Sequence, residues 1–214
     1  MGVIYVEGNN KNIFKENSKI NFNRTAQAYD ESSDGKFVAP MYEEIVSRVI
    51  SANPKKILDV GCGTGNVLIK LSVNYKFGLY GVDISENMIK IAKKNLGDKA
   101  ELKVGDSEYI PWEDNSFDVI VCNASFHHYP SPEKVLLEMK RVLKNSGLLI
   151  IGDPTAPVIC RQFINLYCKI SNNGDYKIYS EKEIKALLVK CGFEAFDFKK
   201  INYKSFAISA KIRK

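Results

Sequence analysis

The stretch "ILDVGCGTGN", Ile57 to Asn66, decides how this chain is read. The residues up to Val60 form an apolar run that suits a buried strand, and "NVLIKLSV" after the loop suits a helix. Between them stand Gly61, Gly63 and Gly65, three glycines in five residues. A tight strand-to-helix turn accounts for one or two of them. Three indicate backbone that a ligand must approach, because glycine accepts positive φ and presents no Cβ.

Outward from this loop the chain alternates. "FGLYGVDI", "AELKVGD", "SFDVIVCN" and "NSGLLIIGD" read as strands, the last two as continuous apolar runs covered on both faces. "SENMIKIAKKNL" reads as a helix capped by Ser85, and "SPEKVLLEMKRVLK" as one with Ser131 at N-cap and Pro132 at N1. "APMYEEIVSRVIS" forms an earlier helix that Asn53-Pro54 ends, and "SEKEIKALLVKCGF" a later one that stops at Gly192. "EAFDFKKI" and "KSFAISAKI" are close enough to pair as a hairpin. Repeated strand–helix units predict an α/β, Rossmann-like, doubly wound fold with a mostly parallel seven-stranded sheet, to which the C-terminal hairpin adds antiparallel pairing. Residues 1–22, rich in Asn and Lys, read as a flexible arm, and 23–214 as a single domain with 154–179 as a lid insertion.

In such sheets the ligand sits beyond the carboxyl ends of the strands, where their order reverses. The dinucleotide fingerprint G-x-G-x-x-G would place its third glycine at Asn66, so that spacing is broken here. Asp59, just ahead of the loop, would repel a pyrophosphate and suits a positively charged ligand. Asp83 ends the second strand about 20 residues further on, where an acidic residue accepts the ribose hydroxyls. Together they describe a cationic adenosyl ligand, and S-adenosylmethionine fits.

"ILDVGCGTG", "YGVDIS", "GDSEYIPWEDNSFDVIVCNASFHHYPSPEKVLLEMKRVLKNSGLLIIGD" and "YSEKEIKALLVKCGF" resemble, in order, the motifs of class I S-adenosylmethionine-dependent methyltransferases. The resemblance is to the small-molecule group (type 11) that includes ubiquinone/menaquinone-biosynthesis enzymes, and it spans roughly residues 22 to 212. It implies that Gly61 and Gly63 lie against the methionyl and ribose parts and that Asp59 orders the loop. It also implies that Asp83 takes the ribose, Ile84 and Met88 flank the adenine, Asp106 and the Ser107 N–H meet the adenine ring, and Asn123 lies near the transferring methyl. S-adenosylhomocysteine would be the product. Met88 reads equally well as core packing, and Asp106 as a turn residue.

Methyl transfer from a sulfonium is an in-line displacement that rewards positioning. A base is needed only where the acceptor must lose a proton. His127 and His128, just past the fourth strand, are the candidates; lining the pocket or capping the next helix is the alternative. Tyr29, in a "YD" pair that matches the group, is expected to cover the transfer site, with Arg24 assisting. The arm and the insertion are short, which suits a small organic acceptor. "NASF" at 123–126 lacks the prolines of the N-P-P-Y type of DNA methyltransferase, so nucleic acid is not the expected partner; RNA or protein methylation and a non-catalytic binding module are the alternatives.

Composition agrees with an ordinary globular chain: 45% hydrophobic and 26% charged, in 214 residues. The net charge is +6, and from Ser180 onward nine Lys/Arg face four Asp/Glu, consistent with lysines guarding a sheet edge. Five widely spaced cysteines without a CxxC, and no leader-like start, suggest reduced thiols in a cytoplasmic protein without membrane contact. The only histidines are adjacent, and neighbouring side chains diverge, so no metal is expected.

Overall fold

The computed structural model describes residues 2–73, 76–168, 170–171 and 174–213, with 2–10 described in backbone only. In chain order its elements are α1 (Gly2–Thr25), a 3-10 turn (Ala26–Glu31), α2 (Ser33–Val38), α3 (Met41–Ala52), β1 (Lys56–Val60), α4 (Asn66–Ser72), β2 (Gly78–Asp83), α5 (Glu86–Leu96) and β3 (Ala100–Val104). There follow β4 (Phe117–Asn123), a 3-10 turn (Phe126–His128), α6 (Pro132–Val142), β5 (Leu143–Pro154), α7 (Val158–Cys168), α8 (Glu181–Lys190), β6 (Phe193–Lys200) and β7 (Ser205–Ile212).

The seven strands form one sheet in the order β3-β2-β1-β4-β5-β7-β6. β1 to β5 are parallel, whereas β7 runs antiparallel to both β5 and β6. Strand order reverses beside β1, which has β2 on one side and β4 on the other. The loops after β1 and β4 therefore part at this point and leave a crevice.

Both faces of the sheet are covered, so the central strands are apolar on both sides. Ile57, Leu58 and Val60 of β1 are fully buried. On one face Ile45 and Val49 of α3, Leu68 and Leu71 of α4, and Ile89 and Ala92 of α5 pack against Ile57, Val119 and Ile150. On the other, Val135, Leu136 and Met139 of α6 and Ile184 and Leu188 of α8 pack against Leu58, Ile120 and Leu149. Ser85 Oγ accepts the Met88 N–H at 3.1 Å, and Ser180 with Glu183 forms a capping box, so both helices start where a capping residue predicts. Asn53 takes a left-handed φ of 46° and closes α3.

The N-terminal segment corrects the sequence reading. From Gly2, residues read as a loose arm belong to a 24-residue helix; Met1 lies outside the described residues. The helix is seated by polar bonds together with only two aromatic rings among the described side chains, Phe14 on Tyr176 and Phe22 on His128, too few for periodicity to show. Asn23 Oδ1 accepts from Ser85 Oγ at 2.8 Å and from the Asn87 N–H at 3.1 Å, and Lys15 reaches Asp106 and Glu108. Leu143 and Lys144, read as the end of a helix, and the 145–147 turn before the expected strand lie within β5, whose pairing with β4 shifts register between Phe117 and Val119. No described helix is long and apolar enough to cross a membrane.

Buried Arg48 fastens α3 to the C-terminal hairpin: its Nη1 donates to Ser209 Oγ at 2.7 Å and to the Asp197 carbonyl at 2.8 Å. Arg48→Leu leaves these acceptors unsatisfied and should cost about 1–3 kcal/mol. Urea unfolding would register it as a lower midpoint, and an unchanged midpoint would mean the hairpin is held without this residue.

Candidate active site

Gly61 and Gly63 both have positive φ, +74° and +53°, for different reasons. A Cβ on Gly61 would collide with the Ser125 side chain, so this glycine lets the β1 and β4 loops touch across the crevice. Nothing lies within 4 Å of where a Cβ on Gly63 would sit; that side of the loop opens on a cavity. The loop is held from below, since the Gly61 and Cys62 N–H groups both donate to the Val82 carbonyl at 2.8 and 3.1 Å.

Three adjoining cavities follow the carboxyl edge of the sheet. The first, about 60 Å³, is lined by Gly61, Asp83, Ile84, Asp106 and Ser107. The second, also about 60 Å³, reaches Asp59, Gly63, Met88 and Asn123. The third, about 290 Å³, lies beyond Tyr29 and Ala124 and is walled by Phe37, His127, Asp175 and Ile178. Phe22 and His128 border all three, and Tyr29 stands between the second and third. All nine residues expected to bind the cofactor line the first two cavities.

The electrostatics of the second cavity are one-sided. Asp59 is 2% exposed, and burial, with the nearby Asp83 charge, pushes its carboxyl up to about 8. Its Oδ1 and the Oδ1 of Asn123 are buried without a hydrogen-bond partner. Asp83 is raised by burial, though its oxygens accept the N–H groups of Gly63 at 2.9 Å and Ser85 at 2.8 Å. Two clustered carboxylates with an orphaned oxygen form a site for a cation that also donates hydrogen bonds.

At the third cavity His127 Nδ1 lies 2.9 Å from Asp153 Oδ1, and Asp153 is fully buried at the end of β5. Burial opposes a charge on His127, but Asp153 overrides it and raises the imidazole above its usual range. Burial and the neighbouring His127 hold His128 well below that range. The Tyr29 phenol is pushed upward by burial and stays neutral. The two histidine rings, expected to diverge, lie 3.9 Å apart between centroids because a 3-10 turn carries them. Asp106 is already engaged by Lys15 of α1 at 2.7 Å. Met88, 1% exposed, borders the cavity while packed beneath it. Arg24 is exposed and donates to Asn21 at 3.1 Å, away from the role expected of it.

Asp30, Asp153, Lys15 and Asp175 had passed unnoticed, whereas Tyr129, next to the histidines, read with the same ambiguity as they did. Asp30 Oδ1 accepts from Thr64 Oγ1 at 2.9 Å and Asn66 Nδ2 at 2.7 Å, latching the "YD" turn onto the glycine loop. Tyr129 Oη lies 2.7 Å from Ser125 Oγ. Asp153 ends a strand as Asp83 does, so the rule that found one could have found the other. Lys15 and Asp175 have no comparable local signal.

The family model described as "Methyltransferase domain" matches residues 58–151, the strands and loops that carry this crevice. The chain is 30% identical over 183 residues to a demethylmenaquinone methyltransferase of Lactobacillus johnsonii, covering 73% of this chain and 75% of that protein. It belongs to the class I S-adenosylmethionine-dependent methyltransferases. A malonyl-[acyl-carrier protein] O-methyltransferase of Geobacter sulfurreducens is 28% identical over 200 residues, covering 85% of this chain and 73% of that protein. Among solved structures, an S-adenosylmethionine-dependent methyltransferase from Aquifex aeolicus is similar at a TM-score of 0.68 and 25% identity, covering 89% of this chain and 98% of that one.

The methyltransferase therefore uses S-adenosylmethionine, and the orphaned carboxylate oxygen and bare glycine backbone are what such a cation requires. The two glycines separate fold from binding. Gly63→Ala faces open space and should fold with a penalty of roughly 1–2 kcal/mol for its left-handed φ, yet bind S-adenosylhomocysteine at least tenfold more weakly in a calorimetric titration. Gly61→Ala should instead lower the thermal midpoint, because its Cβ strikes Ser125. Equal behaviour of the two variants would contradict this division.

Proposed function

We propose that the enzyme transfers the methyl group of S-adenosylmethionine to a small organic acceptor held in the cavity beyond Tyr29. The observation that carries this reading is continuity: Phe22, Tyr29, Val38, Ala124 and His128 border both that cavity and the one containing Asp59 and Gly63. A methyl group delivered along the glycine loop would cross at this border and nowhere else among the described cavities.

The roles follow from placement. Asp59 and Asn123 receive the methionyl end, Asp83 the ribose hydroxyls, and Ile84, Asp106 and the Ser107 N–H the adenine. When bound, the cofactor supplies an electrophilic methyl on a sulfonium, and the chain's contribution is alignment and exclusion of water. Phe22, Tyr29 and Phe37 give the acceptor cavity aromatic walls, while His127 and His128 form its polar end. Residues 154–179 and α1 act as lids over it. The first two cavities hold only a handful of waters each, far below the roughly 300 Å³ of an ordinary ligand pocket. Lys15, which lines the first cavity and holds Asp106, is the side chain that an adenine bound there would displace.

The names of the relatives direct the first screen, with demethylmenaquinone and malonyl-[acyl-carrier protein] beside a panel of small phenols, amines and thiols. Methyl-labelled cofactor reports transfer to any of them. Binding of S-adenosylmethionine without transfer to any acceptor class would reduce the chain to a binding module.

Asp59 makes the binding pH-dependent, and the sign is fixed by its raised carboxyl. Below about pH 8 it carries a proton in the free protein. A sulfonium ligand favours the ionised form, so binding expels that proton, and affinity should climb by up to about tenfold per pH unit between pH 6 and 8 before levelling. Calorimetry at pH 7 in buffers of differing ionisation enthalpy should show a proton released, and Asp59→Asn should abolish the release. Buffer-independent heats in the parent protein would place the cation elsewhere.

Asp83→Asn should weaken cofactor binding by one or more charge-assisted hydrogen bonds, each worth about 1.5–3 kcal/mol. Full affinity in this variant would mean that the ribose lies elsewhere.

A further inference from the structure

The polar end of the third cavity gathers three side chains that carry metal-ligating atoms, His127, His128 and Asp175. His127 Nε2 lies 3.7 Å and His128 Nδ1 3.2 Å from one oxygen, Asp175 Oδ1. One ligand atom from each of the three residues can be chosen so that all lie within 4.8 Å of one another. An ion bound tetrahedrally at the roughly 2.0–2.1 Å usual for zinc separates its ligand atoms by about 3.3 Å, so both measured gaps are close to the edge of such a polyhedron.

Behind this set stands a second layer. Asp153 Oδ1 is 2.9 Å from His127 Nδ1, on the far side of the ring from Asp175. With Nδ1–H donated to that buried carboxylate, Nε2 is the nitrogen directed toward Asp175, where a cation would take the place of the ring's second proton. A carboxylate that fixes the outer nitrogen of a ligating imidazole is the usual partner of a metal-bound histidine. Two carboxylates and two neutral imidazoles carry −2, which a divalent ion cancels; His128 gives up the bond it makes with the Gly174 carbonyl at 3.1 Å.

We propose that His127, His128 and Asp175 bind a divalent first-row transition ion, zinc in the simplest case, with Asp153 orienting His127. Three protein ligands leave a coordination position open, and here it faces the cavity lined by Tyr29, Phe37, Ala124 and Ile178. Resting on that cavity being the acceptor site, the open position takes the acceptor's oxygen, nitrogen or sulfur. Coordination releases the acceptor's proton to water. Its lone pair then forms the bond to the methyl carbon as the carbon–sulfur bond breaks, leaving the methylated acceptor and S-adenosylhomocysteine. This gives the insertion a second task, since it brings Asp175 to the histidine pair through bonds from the Tyr176 and Lys177 N–H groups to the His127 carbonyl at 2.9 and 3.0 Å.

The test is zinc(II) titration of the full chain, first stripped by a chelator, in competition with a chromophoric chelator; cobalt(II) absorption reports the geometry. One equivalent should bind with submicromolar affinity. His127→Gln and Asp175→Asn should each weaken it more than about 100-fold, and Asp153→Asn by about 10–100-fold, while Cys160→Ser, at an exposed thiol, leaves it unchanged. Circular dichroism checks that each variant is folded. Affinity weaker than about 1 micromolar, or binding indifferent to both His127→Gln and Asp175→Asn, would overturn the proposal. Calorimetry of the same samples with S-adenosylhomocysteine separates the two readings: cofactor binding kept while zinc fails sinks the metal site alone, and cofactor binding lost strikes the cavity assignment.

Discussion

Everything at the active edge depends on two carboxylates kept close together in a poorly solvated place. Asp59 stands one residue before the end of β1 and Asp83 ends β2, the neighbouring parallel strand, so each carboxylate feels the other beside the glycine loop. Buried like charges are costly, and among the described residues no lysine or arginine lines that cavity. Backbone N–H groups of Gly63 and Ser85 offset part of the cost at Asp83, while Asp59 answers by holding a proton. The arrangement is destabilising until a cation arrives, and it suits a sulfonium nucleoside for that reason.

The N-terminal helix reaches every cavity of the crevice. Lys15 holds Asp106 and Glu108 beside the first, Asn23 caps the helix that follows Asp83, and Phe22 borders all three cavities. The next turn carries Tyr29 between the second and third cavities, and Asp30 ties that turn to Thr64 and Asn66. A displacement of α1 thus reaches both ends of the site. Access and closure belong to one element, which is how a small domain excludes water without a separate lid domain.

The sheet and its cofactor edge were legible in local patterns. β1, β4 and β5 are covered on both faces and read as unbroken apolar runs; Ser85, Pro132 and Gly192 mark helix ends with their own chemistry. Asp83 ends β2 and Asp106 opens the loop just past β3, and where a parallel strand ends, the ligand edge begins. What stayed hidden was whatever depends on polar contacts between distant segments. α1 carries too little apolar periodicity to be read, because bonds from Lys15 and Asn23 to partners more than 60 residues away seat it beside the rings of Phe14 and Phe22. The convergence of His127 and His128 follows from a 3-10 turn, and Asp175 meets them across 47 residues of chain.

The sequence by itself determined the α/β architecture, the glycine loop and the sign of charge its ligand must carry. These rest on hydrophobic period, backbone freedom and residue type, which act within a few positions. Tertiary structure alone decided that Asp59 is desolvated enough to keep its proton, that Tyr29 divides two cavities, and that His127 has one carboxylate behind it and another before it. Burial and charge spacing exist only once the segments are packed, because desolvation and Coulomb energy depend on distances through space and not along the chain.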